Sequence, residues 1–381
     1  MDTRVVLIDF NHMVHTLYHS QHRLSTRLVQ NGEVIEKDTT VQNGAIKNIF
    51  RWSNKGAYPT AVCFDRRVIS RKGYFQSKFP NMEIGSGKEY KGNREKMPEA
   101  MFEAISDCET LLKMGGVSCF AYQNYEADDL IYACVKRAKE KYPGCPIDII
   151  TNDADLLPLV DDTVSVFLRS KVATYAVRKD LEKNHYIQVT PDNYQSVIEN
   201  LSAYRGFYLP YNTILLHKLL RGDSSDQFGC KEISRMFPAK KFNAMITDMI
   251  ADGVDISNAF RYSDPKYSLV YKDTGEIFNG TISDALKSAD KNRIAKKVED
   301  SETLTNILNL LRRYSSMSEE QIQRLGWVYT GMNLNQAYAS SVPELCRKSV
   351  KIGSGRIPDI ERFDEFDLQK AVNAFRIRLP L

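Results

Sequence analysis

Short apolar runs with few polar interruptions recur along the first part of the chain, and three of them end at aspartate or lead into one. They cover residues 4–9, 60–65, 147–151 and 164–168 and are rich in Val, Ile, Leu and Cys. Runs of this length without regular polar alternation are typical of strands that are covered on both faces of a parallel sheet. The pattern therefore predicts a central, mostly parallel sheet.

Helical periodicity separates these predicted strands. Residues 97–114 open with Met-Pro-Glu, a favourable helix start because proline is tolerated in the first turn. Residues 127–141 repeat apolar side chains three and four positions apart, with lysine and arginine between them. The alternation of strands and helices predicts an α/β fold in which helices flank the sheet.

The pattern changes to mainly helix and loop from about residue 185. A hairpin is predicted at 267–278, where a turn with glycine separates two apolar runs. We divide the chain into an α/β core (1–184), a helical region with the hairpin (185–346), and a basic linker with a C-terminal amphipathic helix (347–381). We expect that last helix to dock on the body of the protein, with binding of a replication partner as the alternative.

Composition narrows the class of protein. Of the 381 residues, 43% are hydrophobic and 26% are charged, which is ordinary for a globular enzyme, and no stretch approaches the roughly 20 apolar residues of a membrane span. The first apolar run is short and interrupted by charges, so we expect no signal peptide. Seven cysteines without a Cys-x-x-Cys pair indicate buried thiols in a reducing cytoplasm.

Acidic residues collect at the predicted carboxyl ends of the strands and in two further short blocks. The carboxyl ends of parallel strands lie along one edge of a sheet, which brings such residues together. Crowded carboxylates need cations, and Mg²⁺ prefers oxygen ligands. Two such ions about 4 Å apart can hold and hydrolyse a phosphodiester. The predicted metal ligands are Asp9, Asp65, Glu126, Asp128, Asp129, Asp153, Asp155, Asp223 and Asp226.

Taken singly, several of these acids have simpler interpretations. Asp9 or Asp65 alone is compatible with a strand-end turn, and Asp128 or Asp129 with a helix cap. Three acids within residues 126–129 exceed what a cap requires. The prediction of a metal centre therefore depends on the whole set.

The net charge of +4 hides an uneven distribution. With the clustered carboxylates set aside, the 52 lysines and arginines clearly outnumber the remaining acids, as in a nucleic-acid-binding protein. Residues 66–96 concentrate nine basic and three acidic side chains with aromatic residues among them, a pattern that suits single-stranded nucleic acid. A solvated surface loop is the alternative interpretation.

Four of the six histidines, at positions 12, 15, 19 and 22, follow one helical face directly after Asp9. Imidazole is a common zinc ligand, so this spacing allows a zinc site. It equally allows a helix that flanks a nucleic acid, or an ordinary helix surface. The spacing alone does not choose among the three.

Three short blocks resemble the signature motifs of the 5′-nuclease (flap endonuclease) superfamily. They are residues 125–129 (YEADD), 151–156 (TNDADL) and 221–226 (RGDSSD), in the order that the family has them. Residues 90–94 (YKGNR) are similar to the basic motif at the base of its helical arch. The resemblance covers about residues 1–235 and is greatest to phage-encoded 5′–3′ exonucleases, including the phage ribonuclease H type.

The resemblance implies a PIN-like 5′-nuclease fold and a two-metal site for Mg²⁺, for which Mn²⁺ is expected to substitute. It assigns Lys91 and Arg94 to the scissile phosphate, and Tyr90 and Lys218 to the substrate strand. It implies one ion on Asp9, Asp65, Glu126 and Asp128 and a second on Asp128, Asp153, Asp155 and Asp226, with Asp129 and Asp223 in direct or water-mediated outer positions.

The sequence departs from the family after Asp226. A Gly-rich helix–turn–helix usually follows there, whereas this chain has residues 229–234 (GCKEIS), with Glu232 and Ser234 in place of two glycines. Those glycines let backbone amides approach a phosphate, often with a bound monovalent cation. We therefore expect weaker dependence on K⁺ than in typical relatives.

The function expected from the residues and the resemblance together is a structure-specific 5′ nuclease of DNA replication. It would act on DNA or an RNA–DNA hybrid with a free 5′ end, including RNA primers, beside a single-strand-binding protein or clamp, in the cytoplasm of a cell or phage host. Two alternatives stay open. A PIN-like single-strand ribonuclease would use fewer acids, and a non-catalytic branched-DNA-binding protein is expected to have lost one or more of them.

Overall fold

The computed structural model describes most of the first 341 residues. Elements are numbered here in chain order. The described residues are 4–19, 23–30, 32–54, 57–66, 78, 97–114, 117–121, 125–169, 186–223, 229–259, 267–271, 273–274, 276–279, 284, 288–290, 293–298 and 302–341. The strands in these ranges are β1 (Val5–Asp9), β2 (Ser25–Gln30), β3 (Glu33–Asp38), β4 (Thr60–Cys63), β5 (Ser118–Phe120), β6 (Ile147–Thr151), β7 (Val164–Leu168), β8 (Ile187–Val189), β9 (Tyr267–Tyr271) and β10 (Ile294–Val298).

The helices of the same ranges fall into two groups, four that flank the main sheet and the rest beyond it. The flanking helices are α1 (Phe10–Tyr18), α2 (Thr40–Trp52), α3 (Glu99–Met114) and α4 (Ala127–Lys141). The others are α5 (Tyr194–Glu199), α6 (Ile214–Arg221), α7 (Lys231–Met236), α8 (Ala239–Ala251), α9 (Ile256–Ala259), α10 (Glu302–Tyr314) and α11 (Glu319–Ser341).

One six-stranded sheet organises the α/β core, with the strand order β5-β4-β1-β6-β7-β8. All neighbouring pairs are parallel except β7 and β8, which run antiparallel. In the register of the central strand, Leu7 lies between Ala61 of β4 and Ile149 of β6. The predicted mostly parallel sheet and its four apolar runs are confirmed.

Both faces of the sheet are covered, which explains why its strands lack polar alternation. All five residues of β1 are buried; Val5 and Leu7 join the core under α4, and Val6 and Ile8 join the core under α1, α2 and α3. Full burial of one such aliphatic side chain contributes about 1.5–3 kcal/mol to folding. The two hydrophobic cores therefore hold the sheet edge, and whatever lies on it, in a fixed position.

Helix α4 forms where the sequence predicts it. Its buried face carries the predicted apolar residues, and its first turn holds a capping box in which Asp129 accepts a hydrogen bond from the backbone N–H of Glu126 at 3.0 Å. The helix ends at Lys141, and Gly144 follows with φ +73°, a backbone conformation that favours glycine. These signals fix the position of the acidic block at its amino end.

Several elements differ from the sequence prediction. β5 and β8 have only three residues each, too few for a periodic signal, and the β2–β3 hairpin was not predicted. The hairpin predicted at 267–278 is partly wrong. The backbone N–H of Tyr271 does bond to the carbonyl of Glu276, but the continuous antiparallel partner of β9 is β10. The partner lies after an intervening segment that no local turn signal can announce.

Beyond the sheet the described chain is mainly helical, as expected, and α4 packs against α11 while α6 packs against α7. No helix among the described residues combines the length and apolar character needed to cross a membrane. Most of the predicted basic arch at 66–96 and the whole C-terminal segment 342–381 lie outside the described residues.

Candidate metal centre

Asp9 occupies the carboxyl end of the central strand and is the most enclosed of the predicted ligands on that strand edge. It is also the N-cap residue of α1, yet its side chain makes no cap hydrogen bond. Its Oδ2 accepts a hydrogen bond from the hydroxyl of Thr151 at 2.8 Å. Its Oδ1 is buried and accepts none from the described residues. A buried carboxylate oxygen without a donor is costly, which indicates that a cation belongs beside it.

His12 lies between two carboxylates of different strands. Its Nε2 is 3.7 Å from Oδ2 of Asp9 and 3.5 Å from Oδ2 of Asp153. Burial raises the pKa of Asp9 to about 6, with Asp65 and Asp153 adding to the rise and His12 opposing it. Burial alone would lower the pKa of His12, but the two carboxylates outweigh burial and raise it. We call Asp9, His12 and Asp153 the histidine end of the site.

Asp65, at the end of the neighbouring strand β4, connects this end to helix α4. Its backbone N–H donates to the side-chain carbonyl of Asn11 at 3.1 Å, and its Oδ1 accepts from the backbone N–H of Ala127 at 2.7 Å. One carboxylate oxygen therefore satisfies a helix N-terminus, where partial positive charge favours an acid. Asp65 thereby connects the end of β1 and the start of α4 at one edge of the sheet.

Glu126, Asp128 and Asp129 present carboxylate oxygens that lie within 4.8 Å of one another. Asp129 is fully buried, and its Oδ2 accepts from the backbone N–H of Glu126. Its carboxylate is thus committed to the capping box, which agrees with the outer position that the family resemblance implies for it. Glu126 is also buried, at 9% exposed, and takes part in the same capping box, whereas Asp128 is half-buried.

Lys218 occupies the opposite end of the carboxylate row. Its ammonium forms ion pairs with Asp155 and with Oδ2 of Asp223, the latter at 2.7 Å, and its side chain is 6% exposed. Burial would lower the pKa of Lys218, but Asp155 and the other neighbouring acids raise it well above its usual value. We call Asp155, Lys218 and Asp223 the lysine end. Its lysine, predicted to contact the substrate strand, is paired inside the site in this structure.

Two glycines close the backbone around the block that contains Asp223. Gly222 has φ +73° and Gly229 has φ +121°, both in the region that favours glycine. A Cβ on Gly229 would lie 2.5 Å from the Cα of Gly222, a distance that real side chains do not reach. The chain therefore enters and leaves residues 223–228 at almost one point, which explains why glycine stands at both positions.

The described residues bring together every predicted metal ligand except Asp226, which lies outside them. Lys91, Arg94 and Tyr90 also lie outside the described residues, so their assigned roles stay predictions. Asp153 links the two ends, because the pKa of its carboxyl, which burial would raise, is lowered by His12 and also by Lys218. The acids therefore form a continuous row.

Sequence reasoning missed three side chains of the site. Thr151 and Asn11 donate or accept the hydrogen bonds that orient Asp9 and Asp65, and His12 contacts two carboxylates. The i, i+3 spacing of Asp9 and His12 indicates that the two side chains share a helical face. In the sequence this spacing is part of a longer histidine pattern, which obscures it. In the structure that pattern divides. The rings of His15 and His19 stack at 4.6 Å between centroids, away from these contacts.

The donor set fits divalent cations that prefer oxygen. The row offers carboxylates from β1, β4, the first turn of α4 and the residues after β6, with a buried unpaired oxygen on Asp9. In the structure two protein cations, His12 and Lys218, partly neutralise it. Such crowding of like charges raises carboxyl pKa values unless cations compensate, as Asp9 shows.

Comparison with known proteins gives a match for the α/β core. Residues 4–186 match the sequence model of the 5′-3′ exonuclease N-terminal, resolvase-like domain. This match bears out the predicted resemblance to the 5′-nuclease family. The matched range contains five of the six strands of the sheet, all except β8, and every acid of the row up to Asp155.

Individual relatives match over shorter stretches. DNA polymerase I of Caldicellulosiruptor bescii is 32% identical over 167 residues, which is 44% of this chain and 16% of that protein. The 5′-3′ exonuclease of Buchnera aphidicola is 29% identical over 109 residues, 29% of this chain and 37% of the relative. The chain spans less than a fifth of the length of the curated DNA polymerases I that it matches.

Among solved structures, the chain is similar to the bacteriophage T5 flap endonuclease in a complex with DNA and metal ions. The two are 16% identical, the TM-score is 0.49, and the match covers 95% of this chain and 100% of the phage chain.

Proposed function

We propose that this protein is a divalent-metal-dependent 5′ nuclease that hydrolyses phosphodiesters near a free 5′ end. Its substrates would be DNA flaps or nicks and RNA–DNA hybrids, including RNA primers. The observation that carries the proposal is the convergence of the predicted carboxylates on one sheet edge, with a buried unpaired oxygen on Asp9 at its centre. A structural role does not require acids from so many separate segments to meet.

The cofactor proposed is a pair of Mg²⁺ ions, for which Mn²⁺ would substitute. Bound ions would activate water and stabilise the leaving oxygen of the phosphodiester. The residues proposed to hold the first ion are Asp9, Asp65, Glu126 and Asp128, and those for the second are Asp128, Asp153, Asp155 and Asp226, with Asp129 and Asp223 outside them.

The remaining residues of the site hold these carboxylates in place. The Thr151 hydroxyl donates a hydrogen bond to Asp9, and the backbone N–H of Ala127 donates one to Asp65. Preorganised ligands lose little freedom when the substrate binds, which is how a nuclease of this kind gains rate. Lys91 and Arg94 are proposed to contact the scissile phosphate.

A second pair of basic and aromatic groups is proposed to guide the strand. Tyr90 would stack on a base of the substrate strand, and Lys218 would contact the strand once cations relieve it of Asp155 and Asp223. The stretch 66–96 would track single-stranded nucleic acid, because its positive charge favours phosphates.

A role in replication is supported by the kinds of relatives that share this domain, which include bacterial DNA polymerases I and a 5′-3′ exonuclease. We propose that the helical region 185–346 binds duplex DNA and that a single-strand-binding protein or clamp is a partner in the cytoplasm. The division at residue 184 and the role of 347–381 belong to the same proposal.

The alternatives predict different substrates. A single-strand ribonuclease would cut single-stranded RNA best, and a non-catalytic branched-DNA-binding protein would bind flaps without cutting. The intact row of acids favours an enzyme over a binding protein, because repulsion among unused carboxylates would be a cost without a function.

The test is a substrate panel given to the purified protein with Mg²⁺ or with EDTA. Labelled 5′-flap DNA and an RNA–DNA hybrid should be cut in Mg²⁺ only, while 3′-flap DNA and single-stranded RNA should be cut at least tenfold more slowly. The double variant Lys91→Ala, Arg94→Ala should lose about 100-fold in rate. Lys47→Ala, an exposed lysine on α2, should behave as the wild type.

Two results would overturn the proposal. One is equal cutting of 5′ and 3′ flaps, or a preference for single-stranded RNA. The other is binding of flap DNA without Mg²⁺-dependent cutting of any substrate.

A further inference from the structure

The histidine end of the site contains a group that a purely carboxylate centre for Mg²⁺ does not require. The imidazole of His12 faces two carboxylates at once, with Nε2 at 3.7 Å from Asp9 and 3.5 Å from Asp153. Atoms that share one metal ion at bond lengths of about 2.0–2.2 Å lie about 3–3.5 Å apart. Both distances from His12 are therefore already close to the separation of two ligands on one ion.

The backbone of His12 is held where this contact needs it. The side-chain amide of Asn152, the residue just before Asp153, donates to the carbonyl of His12 at 3.4 Å and to the hydroxyl of Thr16 at 3.1 Å. Asn152 thereby ties the first turns of α1 to the loop that follows β6. A ligand fixed by neighbouring hydrogen bonds loses less freedom when an ion binds.

The acceptor beside His12 is also prepared for a cation. Oδ1 of Asp9 is buried and accepts no hydrogen bond from the described residues, and its Oδ2 is fixed by Thr151. Asp9 foregoes the helix-capping bond that an aspartate at this position ordinarily makes. Asp9 therefore offers a buried oxygen that no donor among the described residues occupies, next to the oxygen that lies 3.7 Å from His12.

The histidine neighbours on α1 provide the contrast. His15 is exposed, and its ring stacks on that of His19. Neither appears in an ion pair with a carboxylate among the described residues. His12, His15 and His19 therefore do not share one zinc site along the helix face, and His22 lies outside the described residues. Of the three, His12 is the one that contacts the carboxylate row.

We propose that His12 is a nitrogen ligand of the metal centre, together with Asp9 and Asp153, and that it shifts the site's preference from Mg²⁺ toward Mn²⁺, Co²⁺ and Zn²⁺. Imidazole suits these ions better than it suits Mg²⁺, which takes oxygen ligands. The inference rests on the proposed function only in requiring that the carboxylate row binds a divalent ion.

The test is pulsed electron paramagnetic resonance on the full chain loaded with one equivalent of Mn²⁺. Coupling of the electron spin to an imidazole ¹⁴N is expected in the wild type and in His15→Gln, and it should disappear in His12→Gln. In parallel, the ratio of Mg²⁺ to Mn²⁺ dissociation constants, measured by calorimetry, should fall at least tenfold in His12→Gln, the smaller effect recorded for residues that tune metal sites.

The possible results separate cleanly. Bound Mn²⁺ without ¹⁴N coupling in the wild type, or coupling that persists in His12→Gln, overturns the inference and leaves the nuclease proposal standing. No Mn²⁺ binding at all overturns the nuclease proposal itself. Absence of ¹⁴N coupling in the wild type overturns the inference by itself, so the inference stays falsifiable even if His12→Gln fails to fold.

Discussion

The two ends of the carboxylate row meet the same electrostatic demand with different chemistry. At the histidine end, Asp9 and Asp153 face an imidazole that is 41% exposed and that can ligate a metal ion once it gives up its proton. At the lysine end, Asp155 and Asp223 enclose an ammonium that is 6% exposed and whose pKa is raised well above normal. An ammonium cannot ligate a metal, so an ion that takes this position must displace Lys218.

The negative charge of the carboxylates can therefore be balanced in two ways within one site. One is a side chain that can ligate the metal ion, and the other is a side chain that the ion displaces. At the histidine end, His12 and the carboxylates can bind the same ion. At the lysine end, the ammonium of Lys218 neutralises the carboxylates when no ion is bound. The predictions that follow test this difference from the largest expected effect to the smallest.

The largest effect is expected for Lys218→Met. Removing the buried ammonium leaves Asp155 and Asp223 without compensation, and breaking a buried ion pair from one side costs about 3–5 kcal/mol. The free energy of unfolding in EDTA, measured with urea, should fall by about 3 kcal/mol or more, and millimolar Mg²⁺ should restore part of it.

The matched change at the other end is His12→Gln, which should lower the free energy of unfolding by less than about 1 kcal/mol because the imidazole is partly solvated. Equal losses for Lys218→Met and His12→Gln would break the distinction between the two ends.

The next effect concerns acid stability of the helix that carries Lys218. The neighbouring His217 faces the core, with its ring against Tyr204, Phe207 and Phe242 and both nitrogens without hydrogen-bond partners among the described residues. Burial lowers its pKa to about 3, with the positive charges of Arg221 and Lys218 adding to the decrease and Asp223 opposing it. The folded protein therefore keeps this imidazole neutral where the unfolded chain would protonate it.

The sign follows from proton binding. Between pH 6.5 and about 3 the unfolded chain binds more protons at His217 than the folded chain, so stability rises with pH in this window and falls as the pH falls. The contribution lost from pH 7 to pH 5 is about 2 kcal/mol. His217→Phe should flatten the stability profile over that range, whereas His15→Gln should flatten it far less because His15 is exposed. An unchanged slope in His217→Phe would contradict the burial argument.

A smaller effect is expected for Thr151→Val, which removes the hydrogen bond to Asp9 and keeps the shape of the side chain. Residues that orient metal ligands change metal affinity by about 10–100-fold. Mn²⁺ affinity should fall by about tenfold, while the free energy of unfolding changes by about 1 kcal/mol or less. A loss of affinity no greater than that in Thr163→Val, a threonine of the β6–β7 turn, would show that Thr151 does not position Asp9.

The smallest effect concerns K⁺. Glu232 and Ser234 stand where the family has glycines, and Glu232 accepts hydrogen bonds from Gln321 at 2.8 Å and Arg324 at 3.2 Å of α11. Through these contacts, α7 packs against α11. Replacing Na⁺ by K⁺ at constant ionic strength should change flap cleavage by less than about twofold. A saturable increase on K⁺ titration would contradict this prediction.

Much of the fold was predictable because it depends on local periodicity. The apolar runs ending at Asp9 and Asp65, and the helix from Ala127, are set by burial on two faces and by capping chemistry. Because the carboxyl ends of parallel strands lie along one edge of a sheet, the sequence also predicts that these acids lie close together. Pairings across long sequence separations, such as β9 with β10, depend on tertiary packing and left no local signal.

The contacts that orient and neutralise the carboxylates were less predictable than the carboxylates themselves. That Thr151 bonds to Asp9, or that Lys218 turns inward to Asp155, depends on distances between segments about 140 and 60 residues apart, which no sequence pattern encodes. The sequence shows a histidine after Asp9, but it does not show that His12 contacts two carboxylates. Carboxylate ligands at strand ends can be predicted from the sequence, whereas the cations that neutralise them can be identified only in the structure.

The most direct test of the central claim, that this row of acids is a metal-dependent nuclease centre, is the rate of 5′-flap cleavage in Mg²⁺ for Asp153→Asn against Asp162→Asn. Asp153 joins the two ends of the row, and Asp162 is an exposed aspartate nine residues later. We predict a loss of about 100- to 1,000-fold for Asp153→Asn, in line with the removal of one preorganised electrostatic group, and an unchanged rate for Asp162→Asn. Equal rates for the two variants, or cleavage that persists in EDTA, would contradict it.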